Sequence, residues 1–197
     1  MVQEYAALRA KLCETARLLY ERGLVSGTDG NISARVSEEA MLITPSGVGK
    51  RELEPELLIL QKFDGTIVSG KGKPSREAGL HAGIYRIRPE IGAVVHTHPA
   101  AATAFAVCGQ TLPDNCLTEV PTVIGRMGLA GYAPAGSAKL AEEVEEAAAE
   151  SDVVFMQNHG IITCGKDLTA AFNKMDAVEN AARTICYARL IGTVREF

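Results

Sequence analysis

No apolar run in this 197-residue chain approaches the roughly 18–20 uncharged residues that cross a bilayer, so no membrane-spanning helix is expected. No stripe of Lys and Arg interleaved with aromatics is present. With 20 basic against 24 acidic residues the net charge is −4, and the electrostatic footprint of a nucleic-acid binder is missing. No C-x-x-C pair occurs among Cys13, Cys108, Cys116, Cys164 and Cys186, which are odd in number and widely spaced. They read as small buried hydrophobes in a reducing cytoplasm. The stretch "MVQEYAALRAKLCETARLLYERG" carries charges throughout and lacks the apolar segment and small-residue cleavage site of a signal peptide. No internal repeat, low-complexity tract or Pro/Ser/Gly linker divides the chain, so a single domain over residues 1–197 is expected.

What is present is a 47% hydrophobic chain, long enough for one sizeable core. Apolar positions at Leu8, Leu12, Ala16, Leu19 and Tyr20, then Gly23, predict an amphipathic helix over residues 2–22. "ISARV" and "AMLIT" pair as one hairpin, and "LLILQKF" and "TIVSG" as a second around Asp64-Gly65. A helix is expected over residues 76–87 despite Gly79 and Gly83, which cost it about 1 kcal/mol each. A buried strand at Gly92–Val95, an Ala-rich helix from Pro99 to Val107 and a Glu-rich surface helix over 137–149 capped by Ser137 follow. "DVVFMQNHGIITCG" reads as two short strands, and residues 167–191 as a final helix started by Asp167 and stopped by Gly192. The Gly- and Pro-punctuated stretch 109–136 carries no assignable element. Helices mixed with antiparallel turns indicate an α/β class with a largely antiparallel sheet between helices.

The chemistry concentrates on "GAVVHTHPA", residues 92–100. In a strand, side chains at i and i+2 share a face about 6.6–6.8 Å apart. His96 and His98 at a strand end therefore suit either one shared metal ion or a merely polar strand terminus. His159 is a third histidine at a strand end, so three rings from two strands are able to present nitrogens to a tetrahedral ion. The fourth position is then left for a carboxylate, water or substrate, and Glu77 is an available carboxylate. His81 lies one turn beyond Glu77 on the same helix face. It is read here as a helix residue bonded to a nearby carbonyl, with support of the metal ligands as the alternative. Three small polar loops, "SGTDGN" (26–31), "TPSG" (44–47) and "KPSRE" (73–77), combine Gly or Pro with hydroxyls, amides or cations and allow close approach of backbone N–H groups to an anion.

Five motifs in order, "GTDGNIS", "ITPSG", "KPSRE" followed by "LHAGIY", "VVHTHP" and "NHG", make the chain resemble the class II aldolase/adducin family over roughly Leu8–Leu190. The likeness is greatest to the bacterial fuculose-1-phosphate aldolase branch. The resemblance implies a three-layer α/β sandwich, usually a homotetramer with active sites at subunit interfaces. It implies that His96, His98 and His159 bind Zn²⁺, with Mn²⁺ or Co²⁺ as alternatives. Glu77 would be the acid/base that also closes the metal shell. Thr28, Gly30, Asn31, Ser46, Gly47 and Ser75 would hold the phosphate of a phosphorylated sugar, with Arg76 beside them. The implied reaction is cleavage of a ketose 1-phosphate to dihydroxyacetone phosphate and an aldehyde. Retro-aldol cleavage removes a hydroxyl proton and stabilises an enediolate, needs that a general acid–base and a Lewis-acid metal meet. A metal also replaces a Schiff-base lysine, and no lysine stands in a local sequence that suggests burial.

Two departures bear on substrate. Arg76 stands where the aldolases usually have a second phosphate-binding Ser. It reads either as a planar cation for phosphate or an acidic substrate, or as a solvent-exposed helix-start residue. Near Leu117, "PDNCLTEVP" lacks the tyrosine that assists proton transfer in the aldolases, and the C-terminal "IGTVREF" lacks a tail tyrosine. Tyr132 is a substitute, although packing in the "GYAPAG" turn is its simpler role. Within the family, a sugar-acid phosphate decarboxylase remains open through Arg76, while a pentulose-phosphate epimerase typically carries Asp in place of Glu77. A non-catalytic adducin-like oligomer has no use for an intact His₃/Glu set.

Overall fold

The computed structural model describes residues 5–197. Helix α1 (Ala6–Glu21) comes first; residues 2–4 of the expected helix lie outside the described residues. Strands β1 (Asn31–Arg35) and β2 (Ala40–Ile43) form one hairpin, β3 (Ile59–Lys62) and β4 (Ile67–Ser69) the next. Then come α2 (Ala78–Ile87), β5 (Ala93–Thr97) and α3 (Ala100–Val107). The chain closes with β6 (Met127–Ala130), α4 (Ala138–Ala148), β7 (Val153–Met156), β8 (Gly160–Gly165) and α5 (Leu168–Ile191). Both expected caps form: Ser137 accepts from the Leu140 N–H at 3.2 Å and Asp167 from the Ala170 N–H at 2.8 Å.

All eight strands join one sheet in the order β4-β3-β2-β1-β5-β8-β7-β6. Every pairing is antiparallel except β6 with β7. Strand alternation sorts the core into two layers. Ile32, Ala34, Ala93, Val95 and Ile161 face α1, α3 and α5, where Leu12, Phe105, Met175 and Val178 pack. Val94, Ile162 and Cys164 face α2 and α4, where Leu80, Ile84, Leu140 and Val144 pack. The result is an α/β fold with a mostly antiparallel central sheet covered by helices on both faces. Among the described residues no helix is long and apolar enough to cross a membrane.

The unassigned stretch 109–136 holds β6 and a π-helical turn at Val120–Ile124. Strand β6 eluded the sequence because its "MGLA" is short, contains a glycine and gains its ladder only from β7, far along the chain. Gly128 within it meets helix α4 so closely that a Cβ would lie 2.4 Å from the Ala147 carbonyl oxygen. The cysteines are all unpaired, but only Cys13 and Cys164 are buried, and Cys108 is exposed. The expectation of five buried thiols holds for two.

Candidate active site

His96 lies near the end of β5, wholly buried on the α2 side of the sheet. Its Nδ1 donates to the Ile161 carbonyl of β8 at 3.0 Å, which leaves Nε2 as the acceptor, 3.1 Å from His98 Nε2. His98 follows just past the strand end. Pro99 then opens α3, whose first amides are capped from α5: the buried Glu179 carboxylate accepts from the Ala101 and Ala102 N–H groups at 3.2 and 2.9 Å. His159 stands in the turn between β7 and β8, after Asn158 in the left-handed region at φ 55°. The three ring centroids are 4.9, 4.9 and 5.1 Å apart, and one nitrogen of each ring lies within 4.8 Å of the others. This approach depends on Gly160, because a Cβ there would meet His98 Cδ2 at 2.4 Å and the Thr97 carbonyl at 2.6 Å.

Glu77, the residue before α2, turns into this cluster. Its Oε2 is 3.3 Å from His96 Nε2 and 2.7 Å from the Asn31 amide nitrogen, and its Oε1 is 3.2 Å from His159 Nε2. Oε1 is buried and has no hydrogen-bond partner. Burial pushes His96 down to about 3 and lowers His98 as well, so both rings are neutral near pH 7. Burial alone would raise the Glu77 carboxyl, but the His96 ring, the Asn31 amide and the His159 ring outweigh it and hold the carboxyl below its ordinary value. Nitrogens of three imidazoles therefore converge beside a buried carboxylate. That donor set fits a divalent cation: three imidazoles and a carboxylate, the mixed N/O shell of catalytic metal sites.

A cavity of about 310 Å³ opens beside the cluster, and Thr28, Gly30, Asn31, Ser46, Gly47, Ser75, Arg76, Glu77, His98 and His159 all line it. The three polar loops thus meet in space. Loops 44–47 and 73–77 are zipped together by Ser46 N–H to the Lys73 carbonyl at 2.9 Å and Ser75 N–H to the Thr44 carbonyl at 3.1 Å. Gly30 at φ +72° lets loop 26–31 pass the His96 carbonyl, which a Cβ would approach to 2.6 Å. Ser75 Oγ accepts from the Glu77 N–H at 3.2 Å and so holds the start of α2 against the cavity.

Lys50 ties the remaining loop down: its ammonium donates to the carbonyls of Thr28 and Val48 at 3.1 and 3.3 Å. It is 2% exposed, and burial lowers it to about 8 against the opposing pull of Asp29. Lys50 is thus buried although its local sequence does not suggest it. Nothing in "GVGKREL" signals burial, since only the Val48 carbonyl is local and the closer acceptor, the Thr28 carbonyl, comes from a loop 22 residues earlier. His81 also departs from its simpler reading. Its partners are the side chains of Asn31 and Ser33, not a backbone carbonyl. Tyr132 is 61% exposed, so packing does not account for it.

The family of the Class II Aldolase and Adducin N-terminal domain matches residues 10–186. An L-fuculose phosphate aldolase of Methanococcus maripaludis is 38% identical over 173 residues, 88% of this chain and 91% of that protein. A 3-oxo-tetronate 4-phosphate decarboxylase of Escherichia coli is 34% identical over 184 residues, 91% of this chain and 86% of that one. Among solved structures, an L-fuculose 1-phosphate aldolase superposes with a TM-score of 0.91 at 30% identity, covering 97% of this chain and 90% of the other. The chain belongs to the class II aldolase/adducin family. Its named relatives are enzymes of phosphorylated sugars and sugar acids, and they divide between carbon–carbon cleavage of two kinds.

Proposed function

We propose that the protein is a metal-dependent aldehyde-lyase that cleaves a ketose 1-phosphate of the L-fuculose 1-phosphate kind to dihydroxyacetone phosphate and an aldehyde. The observation that carries this reading is Glu77 Oε1: a buried carboxylate oxygen without a hydrogen-bond partner, on a residue that lines a polar cavity beside three imidazoles. His96, His98 and His159 would hold the cation, Zn²⁺ by preference for a nitrogen-rich set, with Glu77 as the neighbouring carboxylate. When bound, the cation supplies Lewis acidity to the substrate oxygens.

Thr28, Gly30, Asn31, Ser46, Gly47 and Ser75 receive the phosphate. Ser75 offers its O–H for this while its oxygen accepts from the Glu77 N–H. Glu77 Oε1 takes the proton of the hydroxyl on the carbon to be released. The carbon–carbon bond then breaks with its electron pair passing to the dihydroxyacetone phosphate half, and Glu77 returns the proton to that half.

A second reading has its own observation. Arg76 is exposed at the cavity wall without an ion-pair partner among the described residues, and a guanidinium fork there suits the carboxylate of a sugar-acid phosphate. The decarboxylase relative shares that substrate class. The two readings separate in one assay: ketose 1-phosphates should release dihydroxyacetone phosphate, whereas release of CO₂ from a 3-oxo acid phosphate would replace the aldolase assignment. Under either chemistry Glu77→Gln should keep the fold and most of the metal but lose about 10²–10⁴-fold in turnover, with smaller change in KM. Near-normal turnover with normal metal content would move the proton transfer to another group.

A further inference from the structure

Helix α2 and strand β1 are in step with one another. Four helix residues rise about 6.0 Å, and two strand residues about 6.6–6.8 Å, so a helix stripe at i, i+4, i+8 keeps register with alternate strand positions. Glu77, His81 and Tyr85 form such a stripe, and Asn31, Ser33 and Arg35 are the strand positions opposite. A chain of hydrogen bonds runs along this seam. The Asn31 amide donates to Glu77 Oε2 at 2.7 Å, Asn31 Oδ1 meets His81 Nε2, His81 Nδ1 meets Ser33 Oγ at 2.7 Å, and Ser33 Oγ meets the Tyr85 hydroxyl at 2.8 Å. Arg35 closes the seam by donating to the Tyr85 carbonyl and stacking 4.8 Å from its ring. Asn31, Ser33, His81 and Tyr85 are all 5% exposed or less, beside a cluster of apolar side chains.

We propose that His81 is a positioning residue: through Asn31 it fixes which oxygen of Glu77 is held by the protein and which one faces the cavity. The direction of every bond follows from the carboxylate end. An ionised Glu77 only accepts, so Asn31 must turn its NH₂ towards it and its oxygen towards His81. His81 must then carry its proton on Nε2 and accept at Nδ1 from the Ser33 hydroxyl, which in turn accepts from Tyr85. Reversing the Asn31 amide would set its oxygen against the carboxylate and would demand the other His81 tautomer and a turned serine hydroxyl. Each member is locked by the next. Oε2 is thereby committed to the seam, and Oε1 is left unpartnered for the substrate. A histidine placed here only to fill space would need none of this order.

The inference rests on Glu77 being the proton carrier, but its first test does not use activity. Nitrogen-15 NMR of His81 in the metal-free protein should show the Nε2–H tautomer at neutral pH; an Nδ1–H or doubly protonated ring would overturn the proposal. For turnover, His81→Leu should lower kcat by about 10–100-fold while KM and metal affinity stay within about twofold. His81→Gln, which restores a donor to Asn31, should recover most of that loss. In a Glu77→Gln background His81→Leu should add nothing further, because the group it positions is gone. Additive losses would mark a purely structural role and overturn the proposal. If His81→Leu fails to fold, His81→Gln and the tautomer measurement decide it. Full activity in Glu77→Gln, by contrast, would remove the proton-carrier reading and leave the tautomer result standing.

Discussion

The chain has four histidines, and two regions use them in opposite ways. At the cavity end of β5 and in the β7–β8 turn, the ring nitrogens of His96, His98 and His159 converge, and those of His96 and His159 meet Glu77. A few ångströms away, along the α2–β1 seam, His81 is as deeply buried as His96, yet both of its nitrogens are taken by neutral side chains. Burial depth therefore does not separate a ligand from a positioning residue. The partners of the ring nitrogens do: three rings gathered around a carboxylate suit a cation, while alternating donors and acceptors satisfy themselves.

The largest expected effect follows from breaking the first region. His96→Ala should lose bound metal and turnover together with the fold retained, as read by metal analysis and circular dichroism, since it removes a ring from the shell itself. Stoichiometric metal in that variant would dissolve the distinction between the two regions. A subtler blow is Gly160→Ala, which touches no donor atom. Its Cβ would press on His98 Cδ2 and the Thr97 carbonyl, and metal affinity should fall by about 10–100-fold in a chelator competition. An unchanged affinity would mean that the close approach of the turn does not position His98.

The smallest effect sharpens the comparison through pH. His81 is pushed by burial from 6.5 down to about 4 in the folded protein. Between those values the unfolded chain binds a proton that the folded one refuses, so stability of the metal-free protein should fall as pH drops from about 6.5 towards 4. His96, lowered to about 3, acts in the same direction. Glu77, whose carboxyl is depressed, adds its loss at lower pH still. Urea unfolding at two pH values should show a shallower slope for His81→Leu, by about one proton, than for the unaltered chain. Equal slopes would show that His81 titrates normally and is not sealed in the seam.

Much of this was legible along the chain. Helix caps at Ser137 and Asp167, the two hairpins and the final helix follow from local hydrogen-bond chemistry and periodicity, which act over a few residues and survive in any context. The histidine spacing and the three polar loops pointed to a metal-and-anion site for the same reason. The parts that escaped depend on partners distant in sequence. Strand β6 is a strand because β7 offers it a ladder. Lys50 is buried because Thr28 supplies a carbonyl to its ammonium.

His81 offered one signal, the 77/81/85 stripe facing alternate polar residues at 31, 33 and 35, but its meaning required knowing that α2 packs on β1. The sequence by itself determined which groups are able to bind metal, anion and proton, because those capacities belong to the side chains. Only the tertiary structure decided which ring nitrogens stay free and which Glu77 oxygen is left without a partner. Hydrogen bonds are satisfied between neighbours in space, and β1 and α2 became neighbours only when the sheet and its helical layers closed around them.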